Sequence, residues 1–361
     1  MQRVSEAQSS MGHEVHVITA AKQGTHVHSS QNDGVIVHRL KSVELANPDF
    51  VLPIAKVERD VFPGAAVVHV HSYISPFNYF VSARAKTYGA KIVTCFMGVD
   101  SLQSHVSPVL KSVGRIYQRF LFQGMVRLTD IPIVKSYRDL NLLSKKYRII
   151  ASYIPDGVDA EVVSLQVDSQ KFRREFGLTA DHIILYLGRL HRAKGPQILV
   201  QSIPFIKTRL SDFKVVFVGP GDSTWLKKLA DDLGISEYVV FTGVVSNLTK
   251  ISALDSSDCV VIPSLYDYVE GYSIVTSEAF ARRKPVIASS VGELRYRIVD
   301  GQDGYLVPPG SPKALAAALI RLLAEEGTRP ISSHDIPTWL EVAKMLCQVY
   351  NSDGKKSSLP I

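Results

Sequence analysis

Cysteine is scarce in this chain of 361 residues, and no two of its three cysteines, Cys95, Cys259 and Cys347, are spaced as CxxC. That excludes a disulfide framework and a thiolate zinc site, and free thiols suit a reducing cytoplasm. No apolar run reaches about eighteen residues, so no membrane-spanning helix is expected. The opening stretch Met1–Val15 has no apolar signal core. Glycine (23) and proline (18) are not enriched, and the charged fraction is 21%, which excludes a collagen-like or disordered chain. No Asp-x-Asp pair occurs, so no metal site is expected. Acidic residues are in the minority, 34 against 41 basic ones, for a net charge of +7. Between Lys111 and Arg148 nine basic residues face only Asp130 and Asp139. Such an excess favours an anionic partner. Nucleic acid is not expected, because no basic motif interleaved with aromatics appears.

Short β-branched runs alternate with helical patterns along the chain. In the first half they are 15–19, 35–40, 67–70, 91–96, 131–134 and 149–154. In the second half they are 183–188, 214–219, 239–242, 259–263, 285–288 and 305–307. Continuous apolar runs between helices predict parallel strands covered on both faces. Two such blocks predict two doubly wound α/β domains. The expected boundaries are 1–155, 156–327 and 328–361. The last stretch holds a polar loop from Thr328 to Pro337, a helix around Trp339–Tyr350 that returns to the first domain, and a frayed tail from Asn351. A domain of this type opens on a strand and a glycine-rich turn. Residues 1–12 instead read as the end of the first helix, stopped by Gly12, so either the start is truncated or the domain is built without its first strand.

Candidate chemistry gathers in the second block. Gly188-Arg189-Leu190, with Lys194 following, falls at the carboxyl end of a strand, where α/β sheets place ligands. Arg189 and Lys194 could reach a diphosphate; a basic surface loop is the competing reading. Gly219, in Val218–Gly221, permits close ligand approach, although many turns carry glycine for backbone reasons alone. Glu270 and Glu278 bracket Gly271, Tyr272, Ser273, Ile274 and Val275, a turn into a helix whose free N–H groups would suit a phosphate. Two solvated glutamates are the alternative. Ala279, Phe280 and Ala281 argue instead for a buried helix, where an unpaired carboxylate is costly.

The ordered set formed by these motifs, with Phe241–Val245, Pro285–Ser289, Asp300–Gly310 and Pro155–Asp159, resembles the retaining GT-B glycosyltransferases of the large fourth family. The likeness covers about Gly12 to Tyr350. It implies two Rossmann-like domains facing a cleft and a nucleotide-sugar donor, UDP- or GDP-linked, bound without metal or cofactor. Arg189 and Lys194 would meet the diphosphate, and Glu270 would orient the donor sugar. Gly188, Gly219 and the stretch Gly271–Val275 would line the donor site, with Glu278 on the ribose and Gly243 and Val244 facing the base. His71 and Met97 would lie on the acceptor side. Met97 stands where the family usually has histidine. A non-catalytic, nucleotide-sugar-binding partner subunit is the rival reading, and a nucleotide-sugar epimerase a second one.

Residues 108–128 carry apolar side chains at 109, 110, 113, 116, 117, 120, 121, 125 and 128, with Lys111, Arg115 and Arg119 on another face. This predicts an amphipathic helix with its apolar side inward. The sharper reading is a peripheral contact with anionic lipid at the inner membrane face; the acceptor expected is a glycan, a lipid-linked sugar or a small molecule.

Overall fold

A computed structural model describes residues 1–21, 29–44, 51–53, 61–100, 108–324, 330 and 334–352. The chain divides into two compact units. Unit 1 is Met1–Gly157 with Trp339–Ile361, and unit 2 is Val158–Thr338.

Unit 1 opens on helix α1 (Gln2–Ser10), which ends at Gly12 with φ +88°. Strands β1 (Val15–Ala20), β2 (Ser29–Asn32) and β3 (Val35–Leu40) form a sheet of order β1-β3-β2. β1 pairs parallel to β3, and β2 antiparallel. A small antiparallel pair follows, β4 (Ser42–Glu44) and β5 (Val51–Pro53). A second sheet, entirely parallel, is built from β6 (Val67–Val70), β7 (Lys91–Cys95), β8 (Ile131–Val134) and β9 (Ser152–Tyr153). Helix α2 (Pro76–Lys86) links β6 to β7, α3 (Pro108–Tyr117) and α4 (Gln123–Leu128) lead to β8, and α5 (Tyr137–Leu142) follows it.

Unit 2 carries α6 (Ala160–Ser164), α7 (Ser169–Glu175), β10 (His182–Leu187), α8 (Pro196–Ile206), β11 (Phe213–Val218), α9 (Thr224–Asp232) and β12 (Val239–Gly243). It continues with α10 (Asn247–Ser256), β13 (Cys259–Ile262), α11 (Ile274–Ala281), β14 (Val286–Ser289), α12 (Leu294–Arg297), β15 (Gly304–Val307) and α13 (Pro312–Ala324). Its six parallel strands run in the order β12-β11-β10-β13-β14-β15. One face is covered by α8, α9 and α13, through Leu199, Ile203, Leu226 and Leu319. The other is covered by α7, α10 and α11, through Phe172, Leu254 and Phe280. Burial on both faces is why these strands read as unbroken apolar runs. Helix α14 (Trp339–Asn351) belongs to unit 1. Its Val342, Leu346 and Val349 pack with Val4 of α1 against β7 and β8.

The fold class is the two-domain parallel α/β architecture expected. Three details differ. The run 149–154 forms only the two-residue β9. The short strands β2, β4 and β5 were not expected; β2 is polar throughout, and β4 and β5 are three residues each, set by pairing. The stretch 108–128 is helical, but its apolar side is not simply inward: Ile116 is 64% and Phe120 74% exposed, alongside exposed Lys111, Arg115 and Arg119. A π-helical turn runs over Gln118–Phe122. Gln118, Phe122 and Met125 point inward instead. The side chains at 109, 110 and 113, much of the loop 328–337 and the tail beyond 352 lie outside the described residues. Among the described residues no helix is long and apolar enough to cross a membrane.

Candidate functional site

In unit 2 the carboxyl ends of β10, β11 and β12 are tied together by their glycines. Gly188 N donates to Val218 O, and Gly219 N donates to Gly243 O, both at 2.9 Å. Gly219 has φ +139°, and a Cβ there would lie 2.2 Å from Gly188 O. No side chain fits, so the two loops lie backbone against backbone. Leu190 N then donates to Pro220 O, fixing the turn that presents Arg189. Arg189 is exposed and makes no ion pair among the described residues.

Lys194 is placed by its neighbour. Gly195 is left-handed at φ +72°, with a virtual Cβ 1.9 Å from Pro263 O, so the loop after β10 is pressed onto the end of β13. Leu265 N donates to Ala193 O across the same seam. Lys194 Nζ consequently lies 2.7 Å from Glu270 Oε1, and Ser264 Oγ donates to that same oxygen at 2.5 Å. Glu270 is 1% exposed. A carboxylate so buried requires such partners, and both bonds fall on Oε1. The structure thus brings Arg189's turn, Lys194 and Glu270 to one end of the sheet.

Gly271, Tyr272 and Ser273 form the turn into α11, and Ser273 caps it, its hydroxyl accepting from Thr276 N. The first-turn amides of a helix have no intrahelical acceptor, so those around Ile274 and Val275 face outward with the dipole's positive end. Glu278 lies one turn further in. Lys250 Nζ of α10 sits 2.5 Å from its Oε1. Gly243 and Val244 stand at the end of β12, with Val244 73% exposed.

Sequence reasoning missed the supports of this turn. Arg297 of α12 is buried, donates to Ser273 O at 2.8 Å and to Ser277 Oγ at 2.9 Å, and stacks over the Tyr272 ring at 4.5 Å. Glu293 N donates to Glu270 O, and Asp267 accepts from Gly292 N and Arg295. Lys250, Ser264 and Arg297 had no motif to mark them; only their types, a cation or hydroxyl inside apolar surroundings, were a signal.

His71 and Met97 belong to unit 1, at the ends of the neighbouring strands β6 and β7. His71 stacks on His69, centroids 4.3 Å apart. Burial holds both rings neutral, His69 down to about 3, with the Lys135 charge adding to the effect. Tyr350 of α14 lies 2.7 Å from His69 Nδ1. Beyond Met97, Gly98 N and Val99 N donate to the buried Asp139. Burial raises that carboxyl's pKa, against the pull of those bonds and of Arg138.

Residues 1–162 match the family model described as Glycosyltransferase Family 4, and residues 168–334 match Glycosyl transferases group 1. An uncharacterized glycosyltransferase of Methanocaldococcus jannaschii is 36% identical over 188 residues, 50% of this chain and 47% of that protein. Phosphatidyl-myo-inositol mannosyltransferase of Mycobacterium leprae is 31% identical over 215 residues, 57% of this chain and 54% of the other. The chain thus spans about half the length of these curated relatives. In fold it resembles sucrose-phosphate synthase of Thermosynechococcus elongatus, with a TM-score of 0.70 at 21% identity, covering 97% of this chain and 91% of that one. It also resembles Anabaena HepE solved with UDP and glucose, with a TM-score of 0.67 at 16% identity, covering 89% and 87%.

Proposed function

The chain belongs to the glycosyltransferases of family 4, group 1, each half matching one of the two models, and from that premise we propose that it transfers a sugar, with retention, from a UDP- or GDP-linked donor held in unit 2. The observation that carries this reading is the Lys194–Glu270 pair beside the Arg189 turn and the amino end of α11. Arg189, Lys194 and the first-turn amides of α11 meet the diphosphate. As the glycosidic bond breaks, charge grows on that group, and preorganised cations and amides stabilise it most at that moment. These groups supply the neutralisation that a metal ion would otherwise give. Glu270, with Oε1 held by Lys194 and Ser264, offers Oε2 to the sugar hydroxyls. Glu278, held by Lys250, offers Oε2 to the ribose diol. Val244 lies beside the base. The solved relative HepE carries UDP and glucose, which supports a uridine donor first.

We assign the acceptor side to unit 1, to His71 and Met97, as the family resemblance implies. Exposed Ile116 and Phe120 among Lys111, Arg115 and Arg119 favour an acceptor presented at an anionic lipid surface, since apolar insertion and charge attraction add. Release of UDP or GDP from a panel of nucleotide sugars, with and without glycan and lipid-linked acceptors, tests the proposal. Turnover that persists in chelator is expected. A folded protein that binds nucleotide yet turns over no donor would instead be a non-catalytic binding subunit.

A further inference from the structure

The loop between β13 and α11 carries two tyrosines, Tyr266 and Tyr268, to which the proposed reaction gives no task. Their rings stack almost parallel, at an interplanar angle of 7° with centroids 5.4 Å apart. Both residues stand open to solvent, 38% and 37% exposed. Scattered exposed aromatics are ordinary on a protein surface. These two are paired, and they follow the carboxyl end of a parallel strand, where α/β sheets place their ligands.

The backbone beneath them is fixed. Asp267, between the two tyrosines, ties their loop to the one before α12: its Oδ1 accepts from Gly292 N at 2.8 Å and from Arg295 at 2.6 Å. Gly292 is left-handed at φ +51°, and a Cβ there would lie 2.7 Å from Asp267 O, so the two loops are pressed together. On the other side Leu265 N donates to Ala193 O, and Val269 N donates to Tyr266 O to close the short helical turn Asp267–Val269. Glu270 follows two residues past Tyr268. The stacked rings are therefore a flat surface set in advance, next to the carboxylate proposed to meet the sugar.

We propose that Tyr266 and Tyr268 are a platform for a pyranose ring, of the donor or of the acceptor. The proposal rests on the donor reading of unit 2, and the sheet order gives it a direction. The strands run β12-β11-β10-β13, so β12, to which the base is assigned, lies three strands from β13, about 14 Å away. Arg189 and Lys194, assigned to the diphosphate, follow β10 between them. A nucleotide sugar laid along that line brings its sugar toward the tyrosines and keeps its base away from them. A pyranose has an apolar C–H face and a rim of hydroxyls. Tyrosine rings cover such a face at little conformational cost, with two rotatable bonds each, while Glu270 Oε2 and the phenol oxygens serve the rim. A nucleobase would stack on the same rings, but only with the nucleotide turned end for end.

The test uses the full chain with isotope-labelled tyrosine rings, the two signals being assigned through Tyr266→Phe and Tyr268→Phe. UDP, UDP-glucose, GDP and GDP-mannose are titrated by NMR, followed by methyl α-glucopyranoside and methyl α-mannopyranoside. Saturable shifts of both rings with a nucleotide sugar, beyond those with its nucleotide, assign the platform to the donor's ring. Shifts from a methyl glycoside on top of saturating nucleotide sugar assign it to the acceptor's. No sugar-dependent shift of either ring, with nucleotide still bound, overturns the platform and leaves the donor reading standing. A chain that binds none of the four nucleotides overturns the donor reading, and the platform then stands or falls on the methyl glycosides alone. Calorimetry of Tyr266→Ala with Tyr268→Ala is the second measurement. It should show about tenfold weaker binding of the sugar that shifts the rings, with nucleotide affinity retained, and the paired phenylalanine variant should keep most of the sugar's affinity. Equal losses for nucleotide and nucleotide sugar would overturn the proposal.

Discussion

Lys250 Nζ lies 2.5 Å from Glu278 Oε1, joining α10 to α11 through a pair that is mostly shielded from solvent. The carboxylate proposed for the ribose is therefore held before any nucleotide arrives. Glu278→Ala should weaken nucleotide binding by roughly 1.5–3 kcal/mol for each charge-assisted bond lost. It should also destabilise the fold, because half-buried Lys250 is left without its partner. Glu278→Ala combined with Lys250→Met should restore stability but not affinity. Calorimetry with UDP and GDP, paired with urea unfolding, separates the two effects. Unchanged affinity in either variant would remove Glu278 from the site.

Arg297 grips the turn into α11 from behind, bonding Ser273 O and Ser277 Oγ and covering Tyr272. Arg297→Lys keeps the charge but loses the planar fork and the stacking. We expect kcat to fall by about tenfold or more, because the amides this turn presents act on charge that grows in the transition state. KM should change less, and unfolding should cost only about 1–3 kcal/mol less. Steady-state kinetics of the folded variant check this; normal turnover would mean the turn needs no such support.

Burial depresses the pKa of His69 to about 3 from its ordinary 6.5, and His71 is lowered well below the same value. The unfolded chain therefore takes up these protons first. Their contribution to stability is complete above pH 6.5 and is lost as pH falls from there toward about 3, each group adding about 1.4 kcal/mol per pH unit. Asp139, raised by burial, acts oppositely at the acid end. In a Trp225→Phe background, Trp339 of α14 reports unit 1. Urea midpoints between pH 7.5 and 4.5 should fall steeply with the two histidines and flatten in His69→Gln with His71→Gln. A flat profile in the parent would contradict their burial as neutral rings.

The parallel strands were legible because a strand covered on both faces must be apolar at every position, as in Ile183–Tyr186 and Cys259–Ile262. The antiparallel β2, polar throughout as Ser29–Asn32, had nothing to announce it. Its existence depends on the partner β3. The π-helical turn at Gln118–Phe122 was equally silent, since spacing counted at 3.6 residues per turn cannot show a turn that takes more. In the site, chain-local features could be read: glycines at strand ends, and two glutamates flanking a helix start. The cross-element partners could not. Lys250 reaches Glu278 from another helix, and Arg297 reaches Ser273 from beyond the next strand.

Arg189→Ala combined with Lys194→Ala should impair transfer more than nucleoside binding. Both cations are placed to meet a diphosphate whose negative charge grows as the glycosidic bond breaks, and interactions that strengthen in the transition state raise turnover. Losing one such contact costs on the order of 3–4 kcal/mol, a hundred- to a thousandfold in rate. Lys194 has a second task, since its Nζ lies 2.7 Å from a Glu270 oxygen that otherwise has only Ser264. The Lys194→Ala change alone should thus lower stability as well as rate, whereas Arg189→Ala, at an exposed position, should lower rate alone. Adding Glu270→Gln to Lys194→Ala should recover part of the stability and none of the turnover. The turnover number, Michaelis constant and urea midpoint of each variant are the measurements. Near-normal turnover in the double variant would place the diphosphate elsewhere and undo the site.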